Sequence, residues 1–239
     1  MAKTKKVMLV VVEGPTDETA LGYLFDKLFS GERVSFDIVG GDTTTAILPA
    51  GGSAVNEVQR VIREHMCGRP YSWKDLGRIV QIVDLDGAFV GDELVVPSPE
   101  GLEYRTDCIR TDDVERLRAR NRTKSLALRK LVGTKELKYS GKGVPYEVYF
   151  MSRNLEHALH NVIESVDSNE KERLARLFRK RYAEDLEGFV RFMQSDEVAV
   201  AGDYRESWDA VREGALSLRR GSNLRILLER AVSDPDRAV

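Results

Sequence analysis

The clearest pattern near the start is VMLVVV at 7–12, an unbroken apolar run that stops at the acid Glu13. Bounded by Gly14 and Pro15, it predicts a strand over 7–13. Apolar residues then recur at helical spacing, with Leu21, Leu24, Phe25 and Leu28 on one face, and predict a helix over 16–29. RVSFDIVGGD at 33–42 reads as a second strand. A helix from about 53 to 66 follows, turning Val55, Val58, Val61 and Ile62 inward. GRIVQIVDLDG at 77–87 is nearly continuous in Ile and Val, as a strand covered on both faces should be. Alternating strands and helices predict a parallel sheet with helices packed on it.

The pattern loosens after that. Residues 91–104 read as a Pro- and Gly-rich excursion with a short strand at ELVV. Residues 112–132 read as a long helix, and a Gly/Lys loop runs to 144 before a fourth strand, PYEVYFM, at 145–151. Beyond it only helical periodicity remains, near 154–165, 169–182, 184–194, 204–219 and 222–231. Asp167 and Glu170 form a capping box ahead of Leu174, Leu177, Phe178 and Tyr182. The fold class expected is therefore α/β, a Rossmann-like parallel sheet over 1–151 followed by a helical C-terminal region over 152–239.

Composition narrows the function. With 42% hydrophobic and 32% charged residues the chain reads as globular with a well-solvated surface. Its net charge of −2 excludes a polycation, so contact with nucleic acid has to come from local patches. The two cysteines, Cys67 and Cys108, and three histidines have no zinc-ligand spacing, and a reducing cytoplasm fits them best. VMLVVV is too short for a membrane span or a signal-peptide core, so no membrane association is expected.

Candidate chemistry lies in acids at strand ends, where open parallel sheets bind ligands. Glu13 ends the first strand, and Asp17 falls in the first turn of the next helix. Asp84 and Asp86 end the third strand and, on an extended segment, project to one side. If those strands are neighbours, four carboxylates converge. Like charges that close need a cation or protons, and oxygen ligands without His or Cys suit Mg²⁺ or Mn²⁺. Such an ion suits phosphodiester chemistry. Each acid alone has a plainer reading: Asp-Gly is turn chemistry, and Asp17 suits a helix dipole.

VVEGPTDE followed by IVDLDG resembles the TOPRIM (topoisomerase–primase) domain, whose signature is a Glu after its first strand and an Asp-x-Asp after its third. The EGPTDE form is most similar to TOPRIM nucleases of the overcoming-lysogenization-defect (OLD) type and to small stand-alone TOPRIM proteins of bacterial defence systems. The resemblance covers roughly residues 7–90, with weaker reach to 151. It implies a metal-dependent nuclease, acting as an antiviral defence or toxin effector. Glu13 would be a ligand or general acid/base, Asp84 and Asp86 would be Mg²⁺ ligands, and Asp17 would serve a second metal. Lys142 would be analogous to a lysine of OLD-type sites that stabilises charge on the transferring phosphate.

Asp42, at the end of the second strand, and Glu156, in a helix turn capped by Asn154, are additional acids for the rim. Residues 105–142 hold twelve Lys and Arg against five acids. Phosphate-backbone contacts to DNA or RNA are expected there, from Arg116, Arg120, Arg122, Lys124 and Lys138; a solvated charged helix face is the competing reading. His157 and His160, one turn apart, read as a solvated face. The chain has no phosphate-loop motif, whereas many OLD-type proteins carry a fused ATPase; the resemblance thus implies either that this chain works alone or that a separate ATPase regulates it, and a homo-oligomer is compatible with the sequence. Two other classes stay open: a non-catalytic module docking an ATPase or nucleic acid, and a metal-dependent phosphotransferase.

Overall fold

The computed structural model describes residues 5–38, 44 and 53–232. Strand β1 (Val7–Val12) is buried along its whole length. Helix α1 (Pro15–Leu28) starts at once behind it, with Pro15 preset for the first turn. Strand β2 (Arg33–Ile38) follows, then α2 (Ala54–Met66), capped by Ser53 Oγ, which accepts from the Asn56 N–H at 3.2 Å. Strand β3 (Leu76–Asp84) ends on the first acid of the Asp-x-Asp pair.

A three-stranded sheet is inserted next, from β4 (Val95–Pro97), β5 (Glu103–Tyr104) and β6 (Ile109–Thr111), in the order β4-β6-β5. Helix α3 (Val114–Val132) follows. Then β7 (Glu136–Tyr139) and β8 (Lys142–Met151) form an antiparallel hairpin. Its two turn residues, Ser140 and Gly141, both have positive φ, at 49° and 79°, as a tight hairpin requires. This corrects the expected loop up to 144: the turn carries Ser-Gly rather than Asn-Gly, and β7 has a single buried residue, Leu137, so no apolar run marks it.

The main sheet runs β2-β1-β3-β8-β7, parallel except for β7. β1 and β3 are neighbours, so the ends carrying Glu13 and Asp84 lie side by side. Side chains of β1 alternate between two cores. Met8, Val10 and Val12 pack with α1 and with the C-terminal helices α4 (Leu155–His160), α5 (Ser168–Tyr182), α6 (Leu186–Gln194) and α8 (Arg225–Val232). Val7, Leu9 and Val11 pack with α2, α3 and Trp208 of α7 (Tyr204–Ala210). The C-terminal helices thus complete one face of the sheet.

Three expectations fail within that region. The helix expected near 154–165 stops at His160, where Asn161 turns left-handed at φ 57°. Helix 204–219 stops at Ala210, and a 3-10 turn, Leu216–Leu218, stands beyond Gly214, whose φ is 53°. Leu177 is exposed rather than inward, because α5 turns Leu174, Ala175, Phe178 and Tyr182 to the core. No described helix is long and apolar enough to cross a membrane.

Candidate metal centre

Three strand ends build the rim. Past Asp84 the β3–β8 ladder continues through the turn: the Leu85 N–H donates to Met151 O at 3.1 Å and the Asp86 N–H to Arg153 O at 3.0 Å. Asp86 then adopts a left-handed φ of 44°, and Gly87 follows at 83°. A Cβ on Gly87 would lie 2.6 Å from Ile109 Cδ1, so both backbone and space demand glycine there. The Asp86 carboxylate therefore reaches the rim by a turn, not by strand alternation as the extended reading had it.

Glu13, Asp84 and Asp86 each offer a carboxylate oxygen within 4.8 Å of the others. Glu13 Oε1 also accepts the Asp84 N–H at 3.3 Å, which fixes it across the strand gap. All three are partly buried. Burial first, then repulsion from Glu13, Asp17 and Asp86, pushes the Asp84 pKa well above the ordinary carboxylate range, with Lys124 opposing. Such a cluster of oxygen donors could hold a metal ion.

Asp17 is buried in the first turn of α1, where its Oδ2 accepts the Gly14 N–H at 3.0 Å. Burial, and more weakly Glu156, raise its pKa to about 7. Glu156 is itself buried, with Lys171 Nζ of α5 at 3.7 Å from its Oε2. Asp17 and Glu156 are thus two further buried acids, near enough for Glu156 to act on Asp17.

The lysine at the cluster is not Lys142. That residue starts β8 and so stands at the opposite end of the sheet, about 30 Å of strand from Met151. Its Nζ caps the carbonyls of Lys74 at 2.8 Å and Leu76 at 3.1 Å. Lys124 takes the position instead. It is fully buried, with Nζ 3.1 Å from Asp86 Oδ2 and 3.9 Å from Glu13 Oε1. Sequence reading placed Lys124 among surface phosphate contacts; only the phase of α3, with Leu117, Asn121 and Leu128 buried on the same face, reveals it as internal.

The other basic candidates scatter. Arg120 Nη2 donates to Asp86 O and, at 2.8 Å, to the Tyr104 hydroxyl. Arg122 is exposed and pairs with Asp92 at 2.9 Å, and Lys138 pairs with Glu136 on β7. Arg116 is exposed on the first turn of α3. Asp42 lies outside the described residues. The histidines are not on a solvated face: His157 is buried, its Nδ1 3.1 Å from Ser152 O, and burial lowers its pKa to about 4. The His160 ring packs edge-on against Phe178.

Sequence reading missed Arg153 and Tyr104. Arg153 has a left-handed φ of 56° and is buried, its guanidinium 4.9 Å from the centre of the Tyr104 ring. The available signal was a polar Ser-Arg-Asn directly after the fourth strand. Compared with protein-family models, with curated proteins and with solved structures, the chain finds no match in any of the three.

Proposed function

We propose that this chain is a divalent-metal-dependent nuclease of the TOPRIM kind, hydrolysing phosphodiester bonds in DNA or RNA. The observation that carries the reading is the convergence of Glu13, Asp84 and Asp86 at the ends of adjacent parallel strands, their oxygens within 4.8 Å of one another. The donor set is all carboxylate, which suits Mg²⁺ or Mn²⁺. Burial, and then repulsion among the acids, raises the Asp84 pKa against the opposing pull of Lys124, and a cation would relieve both. When bound, the ion supplies Lewis acidity and a more acidic water.

The chain's own residues do the rest. Glu13, Asp84 and Asp86 hold the cation, with Glu13 steadied by the Asp84 N–H. Lys124 offsets part of their charge. Asp17, whose pKa burial raises to about 7 in the metal-free protein, adds a further carboxyl beside the cluster. The cluster itself is acidic, so polymer contact falls to basic groups around it. Regulation by a separate ATPase, and a role as a defence effector, belong to the same proposal and rest on the EGPTDE and DLDG resemblance.

The test is cleavage of mixed DNA and RNA by the purified protein with Mg²⁺, Mn²⁺ or EDTA, beside the Asp84→Ala/Asp86→Ala variant. Metal-dependent scission that the double variant loses is the expected result. Retention of a polymer without scission under any metal would instead favour the binding module, and transfer of phosphate to an acceptor other than water the phosphotransferase.

A further inference from the structure

Arg153 is held beside the rim with its guanidinium donors uncommitted to any described residue. Only 4% of the residue's surface is exposed. Yet among the described residues the guanidinium donates to no acceptor and lies within ion-pair distance of no carboxylate; it lies over the Tyr104 ring, and Asp86, Glu156 and Glu164 act on it only from a distance. None of its nitrogens is among the buried polar atoms left without a partner, so the donors keep contact with solvent although the side chain's stem is covered. Donors that face solvent from so fixed a position are available to an incoming oxyanion.

The backbone fixes where the side chain starts. A non-glycine residue at φ 56° persists only where its surroundings impose it. Here they do so from both sides. Arg153 O accepts the Asp86 N–H at 3.0 Å, the Ser152 N–H donates to Gly221 O at 2.7 Å, and Asn154 Oδ1 caps α4 by accepting the His157 N–H at 2.9 Å. The platform is fixed as well. The Tyr104 hydroxyl donates to Asp86 O at 3.3 Å and accepts from Arg120 Nη2 at 2.8 Å. So Arg120 is committed to holding the ring, and Arg153 lies over it. A guanidinium with its face on an aromatic ring keeps its edge donors in a planar fork, the shape that meets two oxygens of one phosphate.

We propose that Arg153 is a substrate-binding residue whose guanidinium engages the two non-bridging oxygens of a nucleic-acid phosphate beside the Glu13–Asp84–Asp86 cluster. The choice of a phosphodiester as the anion rests on the nuclease reading above. The side chain's readiness for an oxyanion does not.

The test is equilibrium binding of short fluorescein-labelled single strands, one DNA and one RNA, in Ca²⁺ at several salt concentrations. Wild type is compared with Arg153→Lys and Arg153→Asn. Asn tolerates the left-handed backbone, so its melting temperature checks that the fold is kept. Both variants should bind about ten- to a hundredfold more weakly. Arg153→Asn should also lower the slope of log K against log salt by about 0.7, one phosphate's worth on a single strand, while Arg153→Lys keeps it. The polymer that shows the effect identifies the substrate class. Folded variants that bind as wild type does would overturn the proposal and leave the nuclease reading standing. Arg153-dependent binding by a protein that never cuts would do the reverse. No binding of either strand by wild type would overturn it too.

Discussion

Lys124 and Asp17 show how charge is managed at single residues. Lys124 is fully buried against Asp86 and Glu13. Removing one partner of a buried pair strands the other, at a cost of about 3–5 kcal/mol. Lys124→Met should therefore melt well below wild type in EDTA, and Mg²⁺ should restore part of the difference; equal melting in EDTA would refute the ion-pair account. Asp17 behaves oppositely to most carboxylates. Its folded pKa of about 7 lies above the ordinary 3.8, so the folded protein holds this proton more tightly than the unfolded chain. Stability of the metal-free protein should fall as pH rises from about 4 to about 7, by at most about 4 kcal/mol from this group. Asp84 adds in the same direction. Asp17→Asn should flatten the denaturation-against-pH curve and raise stability at pH 8; an unchanged curve would contradict the assignment. At this scale the sequence was legible where chemistry follows a strand end, as at Glu13, Asp84 and Asp86. It was opaque where helix phase decides, as for Lys124, and where chain order misleads, as for Lys142, which precedes β8 and so stands at its wrong end.

Among elements, the outer edge of β8 is the informative case. β7 pairs only with Lys142–Pro145, leaving the later half of β8 without a strand beside it. Side chains fill in. The Val148 N–H donates to the Tyr204 hydroxyl at 3.1 Å, and the Phe150 N–H to Asn223 Oδ1 at 3.0 Å. Val148 O accepts from the Tyr204 hydroxyl at 2.9 Å and Trp208 Nε1 at 3.2 Å, and Phe150 O from Ser222 Oγ at 2.7 Å. A bare strand edge invites pairing with another chain; here α7 and the segment before α8 take the place of a strand. Tyr204→Phe leaves the Val148 N–H buried and unanswered, and should cost about 1–3 kcal/mol in chemical denaturation. A loss within error would mean that water replaces the hydroxyl. The sequence could announce β8 by its apolar run but not this cover, because the residues that supply it lie more than fifty positions downstream.

For the whole molecule, the expected split at 151 describes composition better than packing. The parallel core could be read from its Ile- and Val-rich strands. What could not be read is that α4, α5, α6 and α8 would share one apolar cluster with β1 and α1. α5 lies along α1, and its Lys171 reaches Glu156 near the rim. A chain ending at 151 would expose Met8, Val10, Val12 and much of α1. That fragment should lack a cooperative thermal transition and bind a hydrophobic dye, whereas the full chain melts in one step; a cooperatively folding fragment would show the helices to be an accessory. The helical third escaped reading because amphipathic helices declare that they pack, not against what.

The buried ammonium of Lys124 has one more implication. It is tethered, so it cannot diffuse away when a divalent ion arrives. If the proposed metal site is filled, its loading is an exchange, in which the incoming ion competes with a resident antagonist present at very high local concentration. Occupancy is then tuned from within the chain, and a variant that removes the antagonist should grip metal more tightly while folding less stably. Firm folding without the ion and avid capture of it are opposing demands on one side chain.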